Sequence, residues 1–287
     1  MVIDGRKMAA ETLARAKAHA AGLSRRPKVV AIAANETPAT RSYLAIKEKR
    51  AAEAGCELEV RRFAEDASTA ALRSAVLSAA ETADAVIVQL PLPASVDAKA
   101  VCDAIPPEKD ADVLSSAARE RFEKVGEFNS PDLAGGRQPL LPPVVAAARE
   151  IFEENDVDLR AKRAVVLGAG FLVGAPVAAW LAQQGAEVQV LTIETSAEEK
   201  TAALRAAAII VSGAGSPHFI KPDMLTPGAV LIDAGASELG GELVGDADPA
   251  CAEKCAIFTP VPGGVGPLAV ACLLENVVTL AESATNS

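Results

Sequence analysis

Short apolar runs of strand length alternate with helix-length stretches along nearly the whole chain, and this alternation constrains the fold more than any other feature. Residues 28–33 (KVVAIA), 58–63 and 85–89 (AVIVQ) read as strands, separated by helical stretches over about 40–54 and 68–81. On the second of these helices Ala71, Leu72, Val76 and Leu77 fall on one side. Strands joined through helices of this length make right-handed crossovers, so they pair in parallel within a sheet covered on both faces. A second alternating block opens at Arg163, with strands at 164–167, 187–191, 208–211 and 230–233 and a helix at 175–184. A helix precedes it, starting at Pro142 or Pro143 and running through Glu154, because proline suits the first helical turn. A last helix is expected over about 268–282. The stretch 111–141, containing Pro131, Gly135, Gly136 and Pro139, reads as loop and boundary. The expected organisation is two α/β domains, 1–144 completed by a C-terminal helix at 266–287, and 145–265.

Of the 287 residues, 50% are hydrophobic, which excludes a disordered or fibrous chain. With 28 Lys and Arg against 38 Asp and Glu the net charge is −10, so a general nucleic-acid partner is not expected. The charge is uneven: residues 1–50 hold 11 Lys and Arg against 4 Asp and Glu. That excess is either a solvated basic helix face or a positive field beside a site for an anionic small molecule. No uninterrupted apolar run reaches the ~18 residues that span a bilayer, and residues 1–11 lack the apolar core of a secretory signal. The expectation is a cytoplasmic protein without a membrane partner. Five scattered cysteines then read as reduced thiols. Cys251 and Cys255 have no second ligand pair, and His19 and His218 are the sole histidines, so no metal site is expected. Acid–base chemistry falls to Lys, Tyr or carboxylates.

Five features can carry chemistry. Gly168-Ala169-Gly170, followed after three residues by Gly174, sits between a strand and a helix. It is either a turn that brings a dinucleotide pyrophosphate to a helix N-terminus or a glycine-rich turn without a ligand. Glu194 lies 20 residues past Gly174, where an acid can accept from the ribose hydroxyls of NAD, or be a solvated loop carboxylate. Tyr43, the single tyrosine, and Lys47 are four apart and share a helix face. A desolvated lysine there can transfer protons near neutrality, or be an ordinary surface lysine. Gln89 ends a buried parallel strand, where α/β proteins bind ligands, and 259–267 (TPVPGGVGP) is a rigid loop suited to lining a flat ligand.

The order of VIDG (2–5), PAT-x-x-Y-x-x-x-K (38–47), VQLPLP (88–93), KDAD (109–112), GAG-x-x-VG-x-P (168–176), IDAG (232–235) and TPVPGGVGP (259–267) closely resembles the methylenetetrahydrofolate dehydrogenase/methenyltetrahydrofolate cyclohydrolase family over essentially the whole chain. The resemblance implies two α/β domains with a folate cleft between them, the second Rossmann-like, in a homodimer. It implies oxidation of 5,10-methylenetetrahydrofolate with NAD or NADP, then hydrolysis of the methenyl product to 10-formyltetrahydrofolate. Lys47 would be the acid–base residue of hydrolysis, with Gln89 helping to keep it deprotonated. Tyr43 would stack on the pterin side, Asp112 would anchor the pterin, and Pro262, Gly263 and Gly264 would line the cleft. Gly168, Ala169, Gly170 and Gly174 would hold the dinucleotide, with Ala236 beside the nicotinamide. A basic excess at 41–50 would suit polyanionic folate glutamates. The rival readings are a single-activity enzyme and a binding protein without catalysis.

The chain departs from the family pattern at several positions. Where the family commonly has glycine and an aromatic-containing segment after KD-x-D, it has Val113-Leu114-Ser115. Leu140-Leu141-Pro142 stands for Cys-Thr-Pro, and Ala269 for a hydroxyl residue. The segment that receives the NADP ribose phosphate reads Thr192-Ile193-Glu194-Thr195, and the arginine of VGRP is Ala175. With no Lys or Arg before Lys200, and with Lys200 or Arg205 able to fold back, local charge leans slightly to NAD against the family's NADP habit.

Overall fold

The computed structural model describes residues 1–35, 37–124 and 140–285; Pro131, Gly135, Gly136 and Pro139 lie outside them. The described residues divide into two compact units, one holding 10–124, 140–143 and 270–285, the other 1–9 and 144–269.

In chain order the first unit holds most of α1 (Gly5–Ala20), then β1 (Lys28–Ala33), α2 (Pro38–Glu53), β2 (Glu57–Arg62), α3 (Thr69–Thr82), β3 (Ala85–Val88), α4 (Ala98–Cys102) and α5 (Ser116–Lys124). The strands form a parallel sheet in the order β2-β1-β3, with Val29 opposite Leu58 and Ala85. Central β1 and β3 are continuous apolar runs because both of their faces are covered. Leu72, Val76 and Ala79 of α3 close over Val30, Ile32, Val86 and Val88. Edge strand β2 carries charge instead: Glu59 lies 2.7 Å from Lys28 and 2.6 Å from Arg61. Charged edges of this kind resist pairing with another sheet.

Helices α2 and α3 start where side chains cap them. Thr37 accepts from the Thr40 amide at 3.2 Å with Pro38 in the first turn, and Ser68 accepts from Ala71 at 3.2 Å. The stretch expected to be loop at 111–141 contains α5. Ser115 Oγ accepts from the Ala118 amide at 3.2 Å, and Ala118 and Phe122 are buried.

The second unit holds α6 (Pro143–Glu154), β4 (Arg163–Leu167), α7 (Gly174–Gln183), β5 (Glu187–Leu191), α8 (Ala197–Ala206), β6 (Ile209–Ser212), β7 (Val230–Asp233), a hairpin of β8 (Ser237–Leu239) and β9 (Glu242–Val244), β10 (Ile257–Phe258) and the start of α9 (Val265–Thr285). Its five-stranded sheet is parallel, in the order β10-β7-β6-β4-β5. From β4 the chain goes first to β5 on one side and then to β6 on the other. That reversal leaves a crevice at the carboxyl ends of the strands. Trp180 of α7 stacks on Phe152 of α6 with ring centroids 6.0 Å apart.

The expected boundary at 1–144 needs correction at the N-terminus. Val2 bridges Phe258 in parallel, the Ile3 amide donates to Phe258 O at 2.9 Å, and the Phe258 amide donates to Met1 O at 2.9 Å. The first residues thus extend the five-stranded sheet, and α1 begins where a Cβ on Gly5 would sit 1.9 Å from Gly264 O.

The uninterrupted apolar runs stay short of bilayer length, but one helix is apolar on average. Residues 265–284 form a helix long and apolar enough to cross a membrane, because Glu275 and Glu282 interrupt the apolar run without raising its polarity much. Leu268, Ala271, Leu274, Val277 and Val278 of α9 are buried in the protein, the pattern of a core helix.

Candidate active site

The first unit repeats the reversal of the second, since β1 leads to β2 on one side and β3 lies on the other. Gln89 immediately follows β3, and α2 presents Lys47 to it: Lys47 Nζ donates to Gln89 Oε1 at 3.0 Å. Gln89 Nε2 donates to Leu90 O at 2.7 Å, which holds the amide with its oxygen toward the lysine. Part of the Lys47 surface stays accessible, yet protein packs round its amine, and burial lowers its pKa against the attraction of Asp112. A carbonyl that accepts from the amine favours its cation. Burial, and not Gln89 as expected, is therefore what lowers the Lys47 pKa; Gln89 orients Nζ without adding the charge that a glutamate would bring.

Asp112 belongs to the same cluster. Burial raises its carboxyl pKa, and Lys47 opposes that shift. The loop that carries it is held by two residues that spacing alone does not single out. The buried Asp110 carboxylate accepts from the Leu114 amide at 3.1 Å and the Ser115 amide at 2.7 Å. Burial raises the Asp110 pKa, and these amides oppose it. Asn276 of α9 donates from Nδ2 to Ala111 O and to Leu141 O, each at 2.9 Å. Two buried polar groups therefore fix the residues on either side of Asp112. Val113, where the family commonly has glycine, takes φ 55°, a left-handed backbone that a β-branched residue rarely adopts.

Tyr43 lies one turn before Lys47 on α2 and is 40% exposed. The basic excess of the N-terminal segment is partly spent in ion pairs: Arg15 with Glu275, Arg25 with Asp84, and Arg50 with Glu53.

The remaining expected residues lie in the second unit. Gly168, Ala169 and Gly170 follow β4 at the crevice, and Gly174 opens α7. Gly168 has φ 90°, and a Cβ on Gly174 would sit 1.9 Å from Gly168 O, so the turn closes on itself as tightly as backbone permits. A Cβ on Gly170 would meet nothing within 4 Å, and no side chain caps the N-terminus of α7. The Ala175 amide donates to Gly170 O at 3.1 Å and Pro176 has no N–H, so it is the open face at Gly170 at the positive end of the helix dipole that fits a pyrophosphate. Glu194 is exposed on the loop after β5, and Ala236 is exposed after β7. Pro262 is exposed in the loop after β10, where the Gly264 amide donates to Pro260 O at 2.7 Å. All five cysteines are buried, and burial pushes the Cys251 and Cys255 thiols up to about 12 and 11.

Residues 3–112 match the model of the tetrahydrofolate dehydrogenase/cyclohydrolase catalytic domain, and residues 142–285 that of its NAD(P)-binding domain. A curated relative from Acidiphilium cryptum, named bifunctional protein FolD, is 36% identical, with 98% of this chain and 97% of the relative covered. A relative of the same name from Thermus thermophilus is 33% identical, with 98% and 95% covered. Among solved structures, the Trypanosoma brucei methylenetetrahydrofolate dehydrogenase-cyclohydrolase complexed with NADP and inhibitor superposes with TM-score 0.91 at 31% identity, covering 100% of this chain and 99% of that one. The bifunctional enzyme FolD of Campylobacter jejuni gives TM-score 0.90 at 28% identity, with 99% of each chain covered. With both domain models matched in order along the chain, the protein belongs to the tetrahydrofolate dehydrogenase/cyclohydrolase family.

Proposed function

We propose that the protein oxidises 5,10-methylenetetrahydrofolate to the methenyl form with a nicotinamide dinucleotide and hydrolyses the product to 10-formyltetrahydrofolate. The observation that carries this reading is Lys47 Nζ, its pKa lowered by burial, held 3.0 Å from Gln89 Oε1 beside Asp112. When bound, the dinucleotide supplies the hydride acceptor. The chain itself needs to position the folate and to move protons. Water adds to the methenyl carbon and loses a proton to neutral Lys47 Nζ. The bond from that carbon to N5 then breaks as the lysine returns its proton to N5 and the adduct's hydroxyl proton leaves to solvent, so the formyl group stays on N10. That route needs neither histidine nor metal. Asp112 anchors the pterin by hydrogen bonds, and the exposed ring of Tyr43 offers it a stacking face. Incubation with methylenetetrahydrofolate and dinucleotide should raise reduced-nicotinamide absorbance while methenyl absorbance rises and then decays. Reduced nicotinamide with stable methenyl would reduce the protein to a dehydrogenase; neither signal would leave a binding protein.

The lysine and its partners set a pH dependence. Burial lowers the Lys47 pKa, so its neutral form persists to lower pH than that of a free lysine, and hydrolysis falls as pH drops through that value. Gln89→Glu places a carboxylate where the amide oxygen now accepts. An adjacent opposite charge raises a lysine pKa by about one unit or more. The acid limb of the hydrolysis profile should move to higher pH by that amount, and an unmoved limb would leave Gln89 as a strand-end residue.

NAD is the proposed cofactor. The two cations that could neutralise Glu194 are engaged: Lys200 Nζ lies over the Phe219 ring at 5.7 Å, and Arg205 Nε donates to Asp223 O at 3.1 Å. Glu194 therefore faces a ribose phosphate without their help, whereas it can accept from the free hydroxyls of NAD. Like charges about 4 Å apart cost roughly 1–4 kcal/mol between bulk water and a protein surface, enough for a severalfold preference. Steady-state kcat/KM should favour NAD severalfold in the wild type, and Glu194→Arg should reverse the order. A tenfold NADP preference untouched by that substitution would show that Glu194 points elsewhere.

A homodimer through the second unit is also proposed. Edge strand β5 exposes Val190 (40%), and Ile193 just beyond it is 96% exposed. Sedimentation equilibrium at micromolar concentration should give twice 29.4 kDa; a monomer alone would refute it.

A further inference from the structure

Two buried carboxylates in the second unit have no role in the chemistry above. Asp233 ends β7, and Asp246 lies just beyond the β8–β9 hairpin; both are almost fully buried. Their hydrogen bonds go to loops. Asp246 Oδ2 accepts from Ser212 Oγ at 2.6 Å and from the Ala214 amide at 2.8 Å, while Oδ1 accepts from the Ser216 amide at 2.6 Å. Asp233 Oδ1 accepts from the Gly235 amide at 2.9 Å, and Oδ2 accepts from the Ala247 amide at 2.8 Å. The two residues interlock. A Cβ on Gly235 would sit 2.4 Å from the Asp246 carboxyl carbon, and one on Gly245 would sit 2.1 Å from Asp233 Oδ2. Each carboxylate thus occupies the space a side chain would take in the other's loop.

The segments so held adjoin the glycine turn. Gly213 and Ala214 pack directly on it: a Cβ on Gly168 would lie 2.9 Å from Gly213 O, and one on Gly213 would lie 2.4 Å from Val173 Cγ1. The Gly213 amide also donates to Leu167 O at 3.0 Å. The Asp233 amide donates to Thr259 Oγ1 at 2.6 Å, tying the start of the proline-glycine loop to the same point.

We propose that Asp233 and Asp246 are positioning residues for the dinucleotide, a pair of carboxylates that fixes the loops after β6 and β7 against the glycine turn. The proposal rests on the reading that residues 168–174 hold the dinucleotide, and it adds which groups set the shape of that site. Burial lifts the Asp233 carboxyl to about 6, with the neighbouring Asp246 adding to the rise and the amides of Ala247 and Gly235 opposing it. A carboxylate at this depth is costly to ionise, as expected of a group kept for its two acceptor oxygens. An asparagine has one acceptor oxygen, so its amide nitrogen would face a backbone N–H.

The test uses full-length protein and two readouts. NADH binding is followed by nicotinamide fluorescence, and methenyl hydrolysis, which consumes no dinucleotide, is measured alongside. Asp246→Asn and Asp233→Asn should each raise the NADH Kd at least tenfold and raise KM for the dinucleotide more than they lower kcat. Hydrolysis should stay within twofold of wild type. A folded variant with an NADH Kd within twofold of wild type overturns the proposal, as does a parallel loss of both activities. If the asparagine variants do not fold, Ser212→Ala removes one hydroxyl that donates to Asp246; a severalfold rise in Kd supports the proposal, and an unchanged Kd overturns it. A wild-type protein that binds neither NADH nor NADPH would instead overturn the reading that residues 168–174 hold a dinucleotide, on which the proposal rests.

Discussion

Lys47→Ala should lower methenyl hydrolysis by ~10²–10⁴-fold, the usual loss when a positioned proton carrier is removed. Lys47 meets both demands on such a group. Its Nζ is held by Gln89 Oε1 at 3.0 Å, and burial brings its pKa toward the working range. Alanine leaves α2 intact, because it is the best helix former and Lys47 lies within the helix. The buried neighbour Leu44, which anchors α2, is untouched. Far-UV circular dichroism and thermal melting should therefore match wild type while methenyl absorbance decays at nearly the uncatalysed rate. Near-normal hydrolysis by the folded variant would place the proton carrier elsewhere and remove Lys47 from the mechanism.

Gly174→Val is the other substitution with a large expected effect. The first side-chain carbon alone would lie 1.9 Å from Gly168 O, with Ala169 Cα at 3.2 Å, so the turn must open to admit it. Overpacking of this kind costs about 1–3 kcal/mol, and here the backbone that moves is the one proposed to meet the pyrophosphate. NADH affinity should fall by about tenfold or more, in line with displacement on that scale. Trp180, further along α7 and stacked on Phe152, supplies the control. Its fluorescence should show whether α6 and α7 remain packed. If the valine variant binds NADH as tightly as wild type, the dinucleotide does not sit on this turn.

The elements legible in the sequence share a physical basis. Strands β1, β3, β4, β6 and β7 are buried on both faces, so they stand out as unbroken apolar runs whatever their neighbours. The helices whose sequences carry a weak signal lack that contrast. Much of the buried side of α1 is alanine, at Ala9, Ala16 and Ala20, and α8 buries Leu204 alone among its large residues. Both α5 and α8 announce themselves by a cap instead. Ser115 accepts from Ala118, and Ser196 accepts from the Glu199 amide at 3.1 Å. In the 111–141 stretch the proline and glycine signals outweighed that cap.

By itself, then, the chain determined the two parallel sheets, the glycine turn between a strand and a helix, and the helical spacing that puts Tyr43 and Lys47 on one face. Each follows from local periodicity or from a backbone that glycine alone permits. What tertiary structure decided is everything that depends on a distant partner. The first nine residues join the second unit because Val2 and Ile3 meet Phe258, more than 250 positions away. The orientation of Lys47 Nζ depends on Gln89, 42 residues on, and its lowered pKa on the protein packed around the amine. The carboxylates of Asp110, Asp233 and Asp246 look in sequence like any solvated acid. Their burial against backbone amides appears once the loops that supply those amides have converged, since the free energy of a buried charge is set by its surroundings and not by its neighbours along the chain.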